Sequence, residues 1–418
     1  MLILATGAAV AAAAPAPVGC IALEAGGDLA AALATAPSGS TVCLAAGIWT
    51  GPVRIERSVV LWGPPEAVIR SRGEGSTVTL AGAGSALLGT TVDGSGARFD
   101  LLDAAIRVEA DDVRVEGVQV RSALFGILVE RAYRVSIRDN TIQGDPGKTL
   151  GLRGDAIRLW EVRDSVIEGN RISDSRDVVV WYSPGNRIAD NQVSRGRYGT
   201  HLMYSHDNVI EHNRYDANVV SLFLMYSRNV VVSHNQLTRS SGAAGVGLGA
   251  KESGNLRVEG NVFVANQIAV YLDTSPLDLA HWNHFEGNRF HLSDAAIVFH
   301  GGALRNRFID NTFRDNRSPV RVEGRGNARD ALWRGNDFDD YAGYDFDGDG
   351  TGDVPYELRS LSGEMVNRQP TLAFFRGSPA LALVELVGQV VPLFQATTLL
   401  IDPEPRVAEL PTEDFDAH

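Results

Sequence analysis

The residues of this sequence best suited to chemistry are soft and few. Met203 and Met225, two of only four methionines, recur in near-identical phrases, HLMYS at 201–205 and FLMYS at 223–227. A thioether sulfur is a soft donor that selects Cu(I), and imidazole also suits copper. His201, Met203 and Met225 therefore form a candidate copper set, with Trp181 beside them because an indole face attracts cations. Two other readings stay open. The same side chains would serve as a dry protein-binding surface, or as core if the register is displaced by one residue. His206, His212 and His234 fall near neighbouring corners, where each alone reads as a solvated residue.

A second constellation is hard rather than soft. Asp345, Asp347, Asp349, Thr351 and Asp353 place oxygen side chains at alternate positions with glycines between them. That spacing resembles the first part of a Ca2+ loop, although Tyr356 stands where an EF-hand needs its bidentate Glu. The alternative is a glycine-rich turn. No nucleophile elbow, P-loop or paired-cysteine zinc motif occurs.

What positions these groups is a repeat. A phrase of the form x-apolar-x-x-Asn-x-apolar recurs as SIRDNTI, VIEGNRI, RIADNQV, VIEHNRY, VVSHNQL, RVEGNVF, HFEGNRF, RFIDNTF and LWRGNDF. Its asparagines are Asn140, Asn170, Asn191, Asn213, Asn235, Asn261, Asn288, Asn311 and Asn336, with successive spacings of 30, 21, 22, 22, 26, 27, 23 and 25. Such periods belong to solenoids. Stretches such as VRVEGVQV and RVSIRDN alternate apolar and polar residues as half-buried strands do, so the expected fold is all-β, a right-handed parallel β-helix with about three short strands per coil. The asparagines read as corner residues that tolerate a left-handed backbone and stack their amides from coil to coil.

Aligning DAIRLWEV, DVVVWYSP, GTHLMYSH and SLFLMYSR on those asparagines sorts the columns. Ile157, Val178, Thr200 and Leu222, then Leu159, Val180, Leu202 and Leu224, should face inward. Arg158, Val179, His201 and Phe223, then Trp160, Trp181, Met203 and Met225, should face outward, with neighbours one coil apart about 4.8 Å from each other.

The chain divides accordingly: a signal-peptide-like segment (1–17), an N-terminal cap and first strand (18–56), the β-helix (57–340), an Asp/Gly-rich loop and C-terminal cap (341–377), an apolar docking helix (378–396) and a flexible tail (397–418). The opening apolar run ends in small residues, as exported chains do. An oxidising compartment would pair the only cysteines, Cys20 and Cys43. Asp28 is the expected N-cap of a short helix over 28–37, followed by a strand in TVCLAAGIW. Ser378 is the expected N-cap of the helix over 378–394, with Pro379 at its first position. That helix is apolar nearly all round, so Ser378, Leu381, Leu386, Val390 and Phe394 form a candidate partner-docking surface. No later segment is long enough to span a bilayer. The net charge of −13 excludes a general nucleic-acid partner.

The paired HLMYS and FLMYS phrases, the Asn-anchored coils, YAGYDFDGDGTGDVPY at 341–356, FFRGSPAL and IDPEP together resemble the NosD family over nearly the whole chain. The coils alone support only the broader β-helix group of carbohydrate-binding proteins and sugar hydrolases. The resemblance implies a non-catalytic periplasmic protein, peripheral to the membrane through a partner. It implies work with an ABC-type ATPase, a membrane subunit and a copper-carrying lipoprotein in loading copper into nitrous-oxide reductase. It further implies that the helix over 378–394 docks on the membrane subunit. Two alternatives remain beside it: a polysaccharide lyase or C5-epimerase, and a passive carbohydrate-binding scaffold.

Overall fold

The computed structural model describes residues 17–323, 326–360, 365, 369–375, 378–390 and 397–407. The signal-like residues 1–16, Phe394 and residues 408–418 lie outside the described set. Two compact units divide the chain, Met1–Arg197 and Tyr198–His418. Each is a parallel β-solenoid of the right-handed type in which three short strands make a coil.

In the first unit one coil runs Ile157–Trp160, Val166–Glu168 and Arg171–Ser173, and the next runs Asp177–Trp181, Arg187–Ala189 and Gln192–Ser194. Ile157 pairs with Val178, Arg158 with Val179, Leu159 with Val180 and Trp160 with Trp181, all in parallel. In the second unit Tyr198–Met203 pairs with Val220–Met225 in the expected frame, Thr200 with Leu222, His201 with Phe223, Leu202 with Leu224 and Met203 with Met225. Thr200, Leu202, Leu222 and Leu224 are buried. Alternation with period two and a one-coil repeat thus fix which side chains point inward, whereas the outward column is not all at the surface: Val179, expected there, is buried.

The asparagines do a different job at the corners from the one their backbone tolerance suggests. They are buried, and the left-handed φ belongs to the residue before each: Asp139, Gly169, Asp190, His212, His234, Gly260, Gly287, Asp310 and Gly335. Turning the chain one residue early points each amide into the corner. There Asn140 donates to Asn170 and Asn170 to Asn191, both at 2.9 Å, in the first unit. In the second unit Asn213, Asn235, Asn261, Asn288 and Asn311 each donate at 3.0 Å to the next asparagine, ending on Asn336. Each rung also satisfies backbone groups, which makes the ladder a polar network within the core of each unit.

At the N-terminal end, Ile21–Leu23 already pairs in parallel with Thr41–Leu44, so strand stacking begins before the helix. That helix is Leu29–Thr35. Asp28 accepts a hydrogen bond from the Ala31 amide at 3.0 Å, and Leu29 and Leu33 are buried. TVCLAAGIW forms two strands rather than one, Thr41–Leu44 and Gly47–Thr50, because the chain turns a corner between them. Cys20 and Cys43 form a disulfide across Cα atoms 5.8 Å apart.

At the other end, the expectation of a flexible tail from 397 is corrected. Thr397–Asp402 is a strand antiparallel to Tyr356–Ser360. Asp402, fully buried, accepts both the backbone N–H (3.0 Å) and the side-chain amide (2.8 Å) of Asn336, giving the last amide its acceptor. The apolar helix is Pro379–Val390, and Ser378 Oγ accepts from the Leu381 amide at 3.4 Å. None of the described helices is long and apolar enough to cross a membrane.

Candidate functional site

The second unit gathers the soft donors directly. His201 Nε2 lies 3.2 Å from Met225 Sδ, although 24 residues separate them, because His201 and Met225 stand on adjacent strands one coil apart. Met203 is the strand partner of Met225, and both methionines are half-buried. His201 faces outward by register, yet only 7% of it is exposed. Tyr198 stacks on the imidazole at 4.7 Å, and the Phe223 ring approaches it at 6.1 Å.

Glycine makes that wall possible. Gly249 is the strand partner of Phe223, and a Cβ there would meet the Phe223 ring at 2.1 Å. Without a side chain at 249, the ring can lie over the next coil. Beneath the site, Thr200 Oγ1 lies 2.9 Å from the buried Tyr215 hydroxyl, whose own pKa is pushed up by burial. Gly199 clears the space for that tyrosine, since a Cβ there would meet its ring at 2.6 Å.

The donor set is one nitrogen and two thioether sulfurs, all without charge when the imidazole is neutral. Ligand bonds of about 2.0 Å to nitrogen and 2.3 Å to sulfur at a tetrahedral angle put the two donor atoms about 3.5 Å apart. The His201–Met225 separation is close to that, so the residues fit a soft monovalent ion. Met225 is followed in its column by Lys251 and then Asp273, whose side chains approach to 3.7 Å.

Trp181 lies in the first unit and its face is taken. The Arg158 guanidinium sits 4.8 Å from that ring and 5.8 Å from Trp160. Arg158 is held by Asp155 at 3.1 Å, and Arg176 reaches the same carboxylate at 2.8 Å. Burial raises the Asp155 pKa and Arg176 opposes the rise. The indole thus already has a cation, supplied by its own chain. Sequence reading missed Asp155, whose only signal was its place two residues before the inward Ile157.

His206 is half-buried, and its Nδ1 accepts the Arg228 amide at 3.2 Å; burial lowers its pKa. His212 and His234 are exposed and stack on each other at 5.3 Å. Parallel rings cannot aim their lone pairs at one ion, so these two do not join the soft set.

Of the acidic loop, Asp345, Asp347 and Asp353 bring carboxylate oxygens within 4.8 Å of one another, while Asp349 stands outside that group. Asp345 accepts from the Gly348 and Gly350 amides at 2.6 and 2.9 Å, and the Gly350 bond leads in lowering its pKa. Asp353 accepts from Phe346 and Asp349 from Thr351, both at 2.7 Å. Thr351 itself bridges to Arg406.

On the Pro379–Val390 helix, Leu383, Leu386 and Val387 are exposed, as are Phe374 and Phe375 before it, whereas Leu381 and Ser378 are half-buried. The side chain of Val390 lies outside the described set.

Comparison with known proteins gives the chain a family. Residues 138–343 match the family model described as periplasmic copper-binding protein (NosD). The probable ABC transporter binding protein NosD of Pseudomonas aeruginosa is 30% identical over 374 residues, 84% of this chain and 85% of that one. The chain belongs to the NosD family. A second member, from Stutzerimonas stutzeri and of the same description, is 26% identical over 397 residues, 88% of this chain and 87% of its own. Among solved structures, the catalytic domain of a GH87 α-1,3-glucanase in complex with nigerose superposes with a TM-score of 0.56 at 14% identity, over 77% of this chain and 70% of that one. The catalytic unit of the GH87 α-1,3-glucanase from Streptomyces thermodiastaticus superposes with a TM-score of 0.52 at 15% identity, over 79% and 65%. At that identity the likeness is one of fold, which hosts many functions. His201, Met203 and Met225 fall within the residues matched by the NosD family model.

Proposed function

We propose that this NosD-family chain is the non-catalytic, periplasmic binding component of an ABC transporter assembly, and that it handles Cu(I) for the maturation of nitrous-oxide reductase. The observation that carries the reading is the 3.2 Å approach of His201 Nε2 to Met225 Sδ, with Met203 alongside, in a family described as copper-binding. Uncharged soft ligands in a half-buried site favour a monovalent ion and bind it without a proton to release from a thiol, a property suited to hand-off. A copper-carrying lipoprotein would supply the ion and the reductase would receive it.

In this reading the Pro379–Val390 helix docks on the membrane subunit through Leu383, Leu386 and Val387, backed by Phe374 and Phe375, while the ATPase acts from the far side. The helix Leu29–Thr35 caps the first coil. Ca2+ at Asp345, Asp347 and Asp353 would stabilise a loop and take no part in copper handling; Ca2+-dependent protection of the 341–356 segment from proteolysis, lost in D345N/D347N, tests that. X-ray absorption of the Cu(I)-loaded chain tests the main proposal: sulfur scatterers together with one nitrogen are expected, and a shell of oxygen and nitrogen alone contradicts it. Removal of residues 378–394 should abolish association with the membrane subunit while leaving Cu(I) binding intact.

A further inference from the structure

The coil from Asn261 to Asn288 is longer than its neighbours, and the added residues make an exposed corner at 274–282. Leu277 and Leu279 stand out from it, 56 and 52% exposed. The corner of the next coil presents Leu304 at 51%, and one coil further Leu332, at 42%, is the strand partner of Arg307. The Asn306 amide ties the first two corners together by donating to the carbonyls of Ser275, Ala303 and Leu304 at 2.9, 3.1 and 3.2 Å.

The same corner ends on Trp282, and its one carboxylate, Asp278, lies 4.0 Å from His281. Two guanidiniums sit against the Trp282 ring, Arg307 at 4.1 Å and Arg305 at 4.8 Å. Neither arginine has a carboxylate partner among the described residues, and Arg307 Nε is buried without an acceptor. On the same face Glu259 is engaged by Arg257 at 2.8 Å, and Glu286 stands in the neighbouring column with Glu259. Burial, followed by the Arg307 guanidinium, lowers the His284 pKa.

Single exposed leucines need no explanation, but a group of them with a tryptophan and two unpaired arginines has the composition of a binding hot spot. A guanidinium stacked on an indole keeps its N–H edge free for bidentate contact with a carboxylate. The molecule as a whole carries −13 and repels acidic partners. Only a locally cationic spot accepts one, and it accepts it in one orientation. We propose that this corner, Leu277, Leu279, Leu304 and Leu332 with the Trp282–Arg305–Arg307 stack, docks a partner protein through an acidic segment that presents carboxylates beside leucine-like side chains. None of its residues belongs to the His201–Met225 site or to the Pro379–Val390 helix.

The test uses the full mature chain and a fluorescent peptide of alternating leucine and glutamate, beside its leucine and glutamine counterpart. Saturable binding of the glutamate peptide is expected, weakened by salt and weakened at least about tenfold by R305E/R307E or by glutamine in the peptide. R305K/R307K, which keeps charge but not the planar stack, should bind with intermediate strength, and circular dichroism of each variant checks that it is folded. Equal binding of the two peptides, binding that survives R305E/R307E in a folded chain, or no binding at all would overturn the proposal. Concentration-dependent self-association abolished by L277S/L279S would also overturn it, by making a second copy of the chain the occupant.

Discussion

The outward columns of the same kind of strand carry opposite chemistry in the two units. In the first unit, Arg107 meets Glu130 at 2.8 Å, and Arg158 is locked between Asp155 and two tryptophans. In the second, the corresponding columns hold His201 and Phe223, then Met203 and Met225, with no carboxylate until Asp273. The strand geometry is shared, so the solenoid supplies positions and the side chains decide what a position binds. In the first unit the Trp160 and Trp181 faces already hold Arg158; in the second, the outward columns gather an imidazole and two thioethers instead.

That contrast can be strained first at the scaffold common to both units. Asn235→Ala removes donors to Ile210, Ser233 and Asn261 and the acceptor of Asn213. A loss of about 3–5 kcal/mol in denaturant unfolding is expected, because buried backbone and amide groups are left unpaired. Arg158→Met, which softens the first unit, should cost about 2 kcal/mol by leaving Asp155 to Arg176 alone. It should confer no Cu(I) binding, since no imidazole has been placed beside the new sulfur; a gain of affinity in competition titration would break the contrast.

At the end of the ladder, Asp402→Ala should cost about 2 kcal/mol by stripping Asn336 of its acceptor, whereas Asp402→Asn keeps an oxygen there. Burial raises the Asp402 pKa. The folded state therefore holds that proton more tightly than the unfolded one, so its stabilising effect is complete below the unfolded value and fades as pH rises through the folded one. Unfolding followed across that interval should show the slope in the wild type and its loss in Asp402→Asn. Smallest of all, Lys251→Gln should raise Cu(I) affinity about threefold, by removing a partly screened positive charge one coil from Met225. Asp273→Asn should shift the affinity the opposite way.

How much of this the sequence discloses depends on how local the signal is. The recurring asparagine reveals the coil and the register, and the register places Met203 beside Met225 and sorts Thr200 and Leu202 into the core. It does not disclose which residue turns the corner: the left-handed position precedes the asparagine, and aspartate, glycine and histidine all occupy it. Nor does it show that Arg158 covers Trp181, because side-chain direction along a column is settled by Asp155 and Arg176, which lie in the corners before the strands Ile157–Trp160 and Asp177–Trp181. Asp402 was invisible as the end of the ladder, since it reaches Asn336 across 66 residues on a strand of opposite direction. The His201–Met225 contact was legible as a pair of neighbouring columns, but its closeness depends on Tyr198, Phe223 and the missing side chain at Gly249.

Cu(I) competition titration under anaerobic reducing conditions, on the mature chain beside M203L/M225L and H201A, tests the central claim most directly. The account predicts saturable binding of one Cu(I) by the wild type and a loss of at least about a hundredfold in either variant, with the fold retained. Equal affinity in all three proteins, or none in any, would contradict it and leave the outward methionines as packing surface.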